Sequence, residues 1–178
     1  MQTIAVIGAG AAGRAFALRC AGAGFGVLLE DVMPSNLRRA QDESGELAGV
    51  EASGSLRVAL TVEDAVRDAD LAIDFVPDEL ESKLEIFSLL DRMAPPRTIL
   101  CTPTNALSIT DLASCTYRPG LCVGLRRELF AGPVEVVRGS FAEAAALESV
   151  TAMLARMGIA SSVVDDVVEP MLVKNQMR

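Results

Sequence analysis

Three glycines with the spacing G-x-G-x-x-G follow the first apolar run of the chain, residues 4–7, and open a helical pattern over residues 11–23. In such a turn Gly8 permits the tight bend, Gly10 lets the backbone approach a phosphate, and Gly13 lets the helix pack close to the strand. The N–H groups and the positive dipole end of the helix attract a pyrophosphate. Asp31 closes the next apolar run, about 20 residues further on, where a carboxylate accepts hydrogen bonds from ribose hydroxyls. The spacing predicts a dinucleotide site; the alternative is a glycine turn of another α/β protein with a surface aspartate.

The same stretch indicates which dinucleotide is bound. A carboxylate at position 31 would repel the 2′-phosphate of NADP, and residues 32–35 contain no Arg or Lys to neutralise that phosphate. We therefore predict NAD as the cofactor, and we interpret Arg38 and Arg39 as part of a solvated helix face. The predicted cofactor-binding residues of this region are Gly8, Gly10, Ala11, Ala12, Gly13 and Asp31.

The composition argues against several classes of partner. The chain has 178 residues, of which 51% are hydrophobic, and a formal net charge of −8, so a basic face for nucleic acid or for an anionic membrane is not expected. It has no histidine, and its four cysteines lack C-x-x-C spacing, so a typical zinc site has few ligands available. Because the sequence shows neither a long apolar run nor a basic leader, we expect a cytoplasmic protein with reduced thiols. A protein that acts on a small molecule is the remaining expectation.

Apolar runs and helical patterns alternate along the chain. Strands are predicted at 26–31, 56–60, 70–77, 98–102, 121–125, 134–137 and 159–164, and helices at 34–44, 61–69, 78–93, 108–114 and 141–157. This order predicts an α/β fold of the Rossmann type, a doubly wound, mostly parallel sheet with helices on both faces and ligands at the carboxyl ends of the strands. We expect one domain over residues 1–166, followed by a tail over 167–178.

Four stretches of the chain resemble the NAD-binding domain of the L-3-hydroxyacyl-CoA dehydrogenases. They are VIGAG at 6–10, FVPDELESK at 75–83, LSIT at 107–110 and PVEVVRG at 133–139, and the similarity extends over nearly the whole chain. The resemblance implies an NAD-dependent oxidoreductase and places Val76, Asp78 and Lys83 at cofactor-binding positions. Asp78 stands where the family has a longer glutamate. The alternative for Lys83 is an ordinary exposed helix lysine.

The positions that the resemblance marks as catalytic are altered. In the family a histidine takes the hydroxyl proton as hydride leaves for NAD, and a glutamate orients that histidine. Arg126 stands at the position of the histidine, Glu135 matches the glutamate, and Asn105 replaces a serine that contacts substrate and cofactor. A guanidinium stays protonated near neutral pH and cannot serve as the base. Glu135 is therefore either a catalytic residue or a strand glutamate that pairs with Arg126 or Arg127.

Three functions agree with this pattern. The first is an NAD-dependent oxidoreductase acting on a hydroxyacyl substrate such as an acyl-CoA, or on a hydroxy acid. In it Arg126 or Arg127 binds a substrate anion, and Thr104, Asn105 or Glu135 handles the proton. The second is a non-catalytic NAD(H)-binding protein. The third is one subunit of a split enzyme whose cleft is completed by another chain.

The resemblance also bears on assembly. In the family a C-terminal helical domain, which supplies dimer contacts and much of the acyl-CoA cleft, begins near the place where this sequence ends, and Asn175 lies near the family's last polar site residue. We expect a homodimer, in which an identical chain covers an apolar face that would otherwise be exposed. Its candidate contacts are the tail from residue 167 to 173 and a stripe on the helix over 141–157. That stripe consists of Leu147, Val150 and Leu154. The alternative is that tail and helix both pack on their own sheet.

Overall fold

A computed structural model describes residues 2–45 and 54–172. Strands and helices alternate there as predicted, which confirms the α/β fold class, a mostly parallel sheet with helices of the Rossmann type. The elements are β1 (Thr3–Ile7), α1 (Ala11–Gly22), β2 (Gly26–Glu30), α2 (Pro34–Gly45), β3 (Ser55–Val58), α3 (Val62–Val66), β4 (Leu71–Asp74), α4 (Leu80–Met93), β5 (Ile99–Pro103), α5 (Ile109–Ser114), β6 (Cys122–Arg126), β7 (Val134–Arg138), α6 (Ala144–Arg156) and β8 (Ser161–Asp165).

The chain divides into two compact units, the first of which comprises residues 1–75 and 93–98. Its strands lie in the order β3-β2-β1-β4, and each neighbouring pair is parallel. Phe16 of α1 is fully buried, and its ring lies 5.4 Å from the ring of Phe75, which follows β4. The N–H of Gly8 donates to the carbonyl of Glu30, so the turn after β1 is held beside the end of β2.

The second unit comprises residues 76–92 and 99–178. Its strands lie in the order β5-β6-β7-β8, with β6 and β7 antiparallel and the other pairs parallel. Helix α5 begins after Ser108, within the predicted helix at 108–114, and the hydroxyl of Ser108 accepts the N–H of Asp111 and so caps the helix. Helix α6 begins at Ala144 rather than at residue 141, because the N–H of Ala142 closes a turn on the carbonyl of Gly139.

The apolar stripe of α6 packs inside the chain. Leu147, Val150 and Leu154 are buried, and α6 contacts β6, β7 and β8. The prediction that this stripe is a dimer contact is therefore wrong, because the sheet of the same chain already covers it. The tail is described up to residue 172, and within it Val167 is 86% exposed and Met171 66% exposed. Asn175 lies outside the described residues.

In the part of the chain that the structure describes, no helix is long and apolar enough to cross a membrane. The same residues contain no group of three or more His, Cys, Asp or Glu side chains that could hold a metal ion. The four cysteines are free, and Cys115 is the exposed one among them.

Candidate functional site

Glycines shape the turn between β1 and α1. Gly8 has a φ of 99°, in the left-handed region that favours glycine. A Cβ on Gly13 would overlap the carbonyl oxygen of Gly8, so the start of α1 can pack against the turn only with glycine there. A Cβ on Gly10 would meet no heavy atom of the described residues within 4 Å. The surface over Gly10 is therefore open, as an approaching phosphate requires.

The N-terminus of α1 offers backbone donors to this open surface. Gly10 precedes the helix, no side chain of the described residues caps it, and Gly10, Ala11 and Ala12 are exposed. The first N–H groups of a helix have no acceptor within the helix and carry the positive end of its dipole. The turn therefore fits a pyrophosphate without any rearrangement of side chains.

Asp31 lies beside this turn, directly after β2. Its Oδ2 atom accepts the N–H of Ala9 at 2.6 Å and the side-chain amide of Asn36 at 3.1 Å, and its Oδ1 atom accepts the N–H of Met33 at 2.6 Å. An ionised carboxylate has about four acceptor positions, so one remains for a ribose hydroxyl. Burial, and then the charge of Asp31, raise the pKa of the neighbouring Glu30. Glu30 is buried whereas Asp31 is half-buried, so Asp31 is the more accessible of the two acids, and the turn with Asp31 fits NAD.

Val76, Asp78 and Lys83 belong to the second unit. Val76 is half-buried, Asp78 is exposed, and the Oδ2 atom of Asp78 accepts the backbone N–H of Asn105 at 3.0 Å. Lys83 is 1% exposed, so its side chain lies inside the structure. The alternative of an ordinary exposed lysine is therefore wrong, since lysines are almost never fully buried unless they are paired.

Arg126 is held in a buried ion pair. Its Nη2 atom donates to Asp166 Oδ1 at 2.7 Å and to the carbonyl of Leu107 at 3.3 Å, and the two charged side chains are 8% and 4% exposed. Its Nε atom is buried and has no hydrogen-bond partner among the described residues. The charge of Arg126 is thus neutralised internally, and its guanidinium does not pair with Glu135.

Asp166 ties the chain after β8 to the start of α5. Burial raises its pKa, but the hydrogen bonds from Arg126 and from backbone N–H groups outweigh that effect and hold the pKa below its usual value. Besides Arg126, its donors are the hydroxyl of Ser108 and the backbone N–H groups of Ile109, Thr110 and Val168. The sequence carried no signal for this role, because Asp166 lies more than 50 residues from the α5 start it caps.

Asn105, Arg127 and Glu135 form a separate cluster. Glu135 lies opposite Arg126 across the β6–β7 pair, yet its Oε1 atom accepts the Nε–H of Arg127 at 2.7 Å. The backbone N–H of Arg127 donates to Asn105 Oδ1 at 3.1 Å. The structure therefore joins Asn105 and Glu135 through Arg127, and it places Arg126 in a different set of contacts.

Thr104 is poorly placed to handle a proton. Its side chain is buried, and its hydroxyl oxygen accepts the backbone N–H groups of Ala106 and Leu107 at 3.3 and 3.0 Å. Both acceptor positions of a hydroxyl are then occupied. Its contacts are those of a residue that shapes the loop after β5.

Many curated proteins and solved structures are similar to this chain. A probable 3-hydroxybutyryl-CoA dehydrogenase of Bacillus subtilis is 34% identical over 93% of this chain and 63% of its own length. The 3-hydroxyadipyl-CoA dehydrogenase of Escherichia coli is 33% identical over 78% of this chain and 31% of its own length. The chain thus spans less than two thirds of these relatives.

One similar solved structure is that of 5-formyl-3-hydroxy-2-methylpyridine 4-carboxylic acid 5-dehydrogenase, an NAD+-dependent dismutase. Its TM-score is 0.83 at 26% identity, and the match covers 99% of this chain and 61% of the solved chain. The 3-hydroxybutyryl-CoA dehydrogenase of Escherichia coli has a TM-score of 0.81 at 29% identity. The match covers 93% of this chain and 38% of the solved chain. The model of the family "3-hydroxyacyl-CoA dehydrogenase, NAD binding domain" matches residues 3–167. The chain therefore belongs to the family of NAD-binding domains of the 3-hydroxyacyl-CoA dehydrogenases, and its cofactor is NAD.

Proposed function

We propose that this chain is an oxidoreductase domain that acts on a hydroxyacyl or hydroxy-acid substrate, with proton chemistry that does not use a histidine. The observation that carries the proposal is the open glycine turn with Asp31 held beside it, which has the shape and the donors that a dinucleotide needs. When bound, the nicotinamide accepts or donates the hydride.

The cofactor-binding roles follow from the contacts of each region. The backbone N–H groups of Gly10, Ala11, Ala12 and Gly13 bind the pyrophosphate, with Gly8 shaping the turn, and Asp31 binds the ribose. In the second unit, Val76, Asp78 and Lys83 are assigned to the cofactor by their match to the family pattern, and the hydrogen bond from Asn105 to Asp78 fixes that loop.

Glu135 handles the proton, and Asn105 binds the substrate oxygen. Because a backbone N–H can only donate, its bond to Asn105 Oδ1 fixes the amide orientation and turns the NH₂ group of Asn105 outward as a donor. This donor suits a substrate carbonyl oxygen, but it cannot accept a proton. Glu135 is the carboxylate of the same cluster, and it is the group that can accept one. Arg126 takes no part, because Asp166 and Leu107 engage it.

A second candidate function is NAD(H) binding without catalysis. It is favoured by the buried pair of Arg126 and Asp166, which occupies the position of the family's base with a structural contact. Losing a general base typically slows a reaction by about 10² to 10⁴. The two functions differ in turnover and not in cofactor affinity.

The test is a calorimetric titration of the protein with NAD, NADH, NADP and acetoacetyl-CoA, followed by NADH oxidation assays with acetoacetyl-CoA and small oxo acids. Asp31→Ala should weaken NADH binding about tenfold or more, since a hydrogen bond to a charged group contributes about 1.5–3 kcal/mol. Asp68→Ala, at an exposed acid of the same unit, is the matched control. Unchanged affinity in Asp31→Ala contradicts the site, whereas tight NADH binding without turnover selects the second function.

We further propose a homodimer in which the tail contributes the contact. Val167 and Met171 are exposed apolar residues, and in a two-fold dimer each tail would meet an identical surface. Light scattering should show a dimer, and Val167→Ser with Met171→Ser should shift it toward monomer. A monomeric wild-type protein at micromolar concentration would contradict the proposal.

We further propose that the protein is cytoplasmic. The four cysteines are free rather than joined in disulfides, which agrees with a reducing compartment. Cell fractionation followed by immunoblotting is the direct test, and recovery in a membrane or secreted fraction would contradict the placement.

A further inference from the structure

The two arginines at the end of β6 have different environments. The side chain of Arg126 is 8% exposed and bound to Asp166, whereas that of Arg127 is 66% exposed. Both stand where the carboxyl end of a parallel strand of an α/β sheet presents residues to a ligand. An anion from solution can therefore reach Arg127, and it cannot reach Arg126.

The backbone of Arg127 adopts an unfavourable conformation. Its φ is 74°, in the left-handed region that non-glycine residues rarely occupy. The hydrogen bond from its N–H to Asn105 Oδ1 holds it there. Such conformations are unfavourable for residues other than glycine and concentrate at ligand-binding sites. The position of this guanidinium is thus maintained against a local preference.

The guanidinium of Arg127 has one edge in use and one edge available. Its Nε and Nη2 atoms bind Glu135 Oε1, and among the described residues Nη1 has no hydrogen-bond partner. The planar guanidinium of arginine holds its N–H donors in a fixed arrangement, so two of them can donate to the two oxygens of one carboxylate. Glu135 therefore orients the group without occupying the edge that a second carboxylate would use.

Arg127 and Glu135 line a cavity of about 520 Å³, together with Glu128, Gly132, Pro133 and Ser162. This volume is in the range of small-molecule sites. The two glutamates give the cavity an excess of negative charge, which repels a polyanion such as the phosphates of coenzyme A. A compact monoanion avoids most of that repulsion when it binds at the free edge of Arg127.

We propose that Arg127 binds the carboxylate of a small oxo or hydroxy acid, so that this chain acts on a free acid rather than on a thioester. The proposal rests on the proposed function for the hydride transfer, and it adds the substrate class. Asn105 is then the residue that positions Arg127 for the carboxylate.

The experiment compares acetoacetate with its neutral analogue acetoacetamide and with acetoacetyl-CoA, by calorimetry, with and without saturating NADH. The variants are Arg127→Gln and Arg127→Lys, with Arg138→Gln as matched control, because Arg138 is a half-exposed arginine that is also paired with an acid, Asp165. NADH affinity and thermal unfolding report whether each variant is folded.

We expect acetoacetate to bind more tightly than acetoacetamide. Arg127→Gln should weaken the binding of acetoacetate about tenfold or more and leave the affinities for acetoacetamide and NADH unchanged. The affinity of Arg127→Lys for acetoacetate should lie in between, because lysine keeps the charge but not the forked arrangement of N–H donors.

Three outcomes would overturn the proposal: equal binding of acetoacetate and acetoacetamide, tighter binding of acetoacetyl-CoA than of acetoacetate, or equal effects of Arg127→Gln and Arg138→Gln. If Arg127→Gln is unfolded, the comparison of the two ligands on the wild-type protein decides. Failure of NADH to bind contradicts the proposed function, and the titrations without NADH still test Arg127.

Discussion

Removing Asp166 should destabilise the protein more than removing its partner Arg126. Asp166→Ala leaves a guanidinium that is 8% exposed with a backbone carbonyl as its remaining partner, and it removes the acceptor of the N–H groups of Ile109 and Thr110. Leaving one charge of a buried pair without its partner costs about 3–5 kcal/mol, and losing a helix N-cap acceptor costs about 1 kcal/mol. The free energy of unfolding should therefore fall by about 4–6 kcal/mol.

Arg126→Ala should lower the free energy of unfolding by a smaller amount. The carboxylate of Asp166 keeps a hydroxyl and three backbone N–H donors, so the loss should lie near the lower limit, about 3 kcal/mol. Urea unfolding measures both values, and Arg67→Ala, which breaks an exposed pair with Asp64, should cost less than about 1 kcal/mol. Equal losses in the two buried variants, or losses below about 1 kcal/mol, would refute the assignment of a buried ion pair.

The same pair makes stability depend on pH. Because the folded-state pKa of Asp166 is lowered, its contribution is present above the unfolded pKa of about 3.9 and is lost as the pH falls through the folded value. The difference in unfolding free energy between wild type and Asp166→Asn should therefore be constant near neutral pH and shrink below about pH 4. A difference that grows on acidification would contradict this sign.

Three further predictions follow from single residues. Gly10→Ala should leave the free energy of unfolding unchanged and weaken NADH binding. Gly13→Ala should lower the free energy of unfolding by about 1–3 kcal/mol or more, because its Cβ would overlap backbone atoms. Urea unfolding and calorimetry separate the two effects. Arg126→His should not create acetoacetyl-CoA reduction, since the side chain at position 126 contacts Asp166 and Leu107 rather than Glu135; NADH oxidation assays would detect any gain. In the native protein Cys115 should react with a thiol reagent much faster than the three buried cysteines, and rapid modification of all four would contradict their burial.

The fold and the cofactor turn could be predicted because they depend on local patterns. The alternation of apolar runs and helical stretches leaves few arrangements other than a mostly parallel sheet, since each element must bury one face. The glycine spacing predicts the backbone of the turn because steric conflicts between neighbouring atoms decide it, as the close approach of Gly13 to Gly8 shows. Ser108 was likewise recognisable as a helix cap from its position before an apolar run.

Which acidic residue each of the two arginines pairs with was decided by tertiary structure. Arg126 and Arg127 are adjacent and chemically identical, and the sequence left open which of them, if either, pairs with Glu135. Sheet order brings Asp166, 40 residues away, to Arg126, and the positive φ of Arg127 turns its side chain to Glu135. Local sequence determines backbone preference and burial pattern, whereas the partner of a buried charge depends on which distant strands become neighbours, and that is set by the packing of the whole sheet.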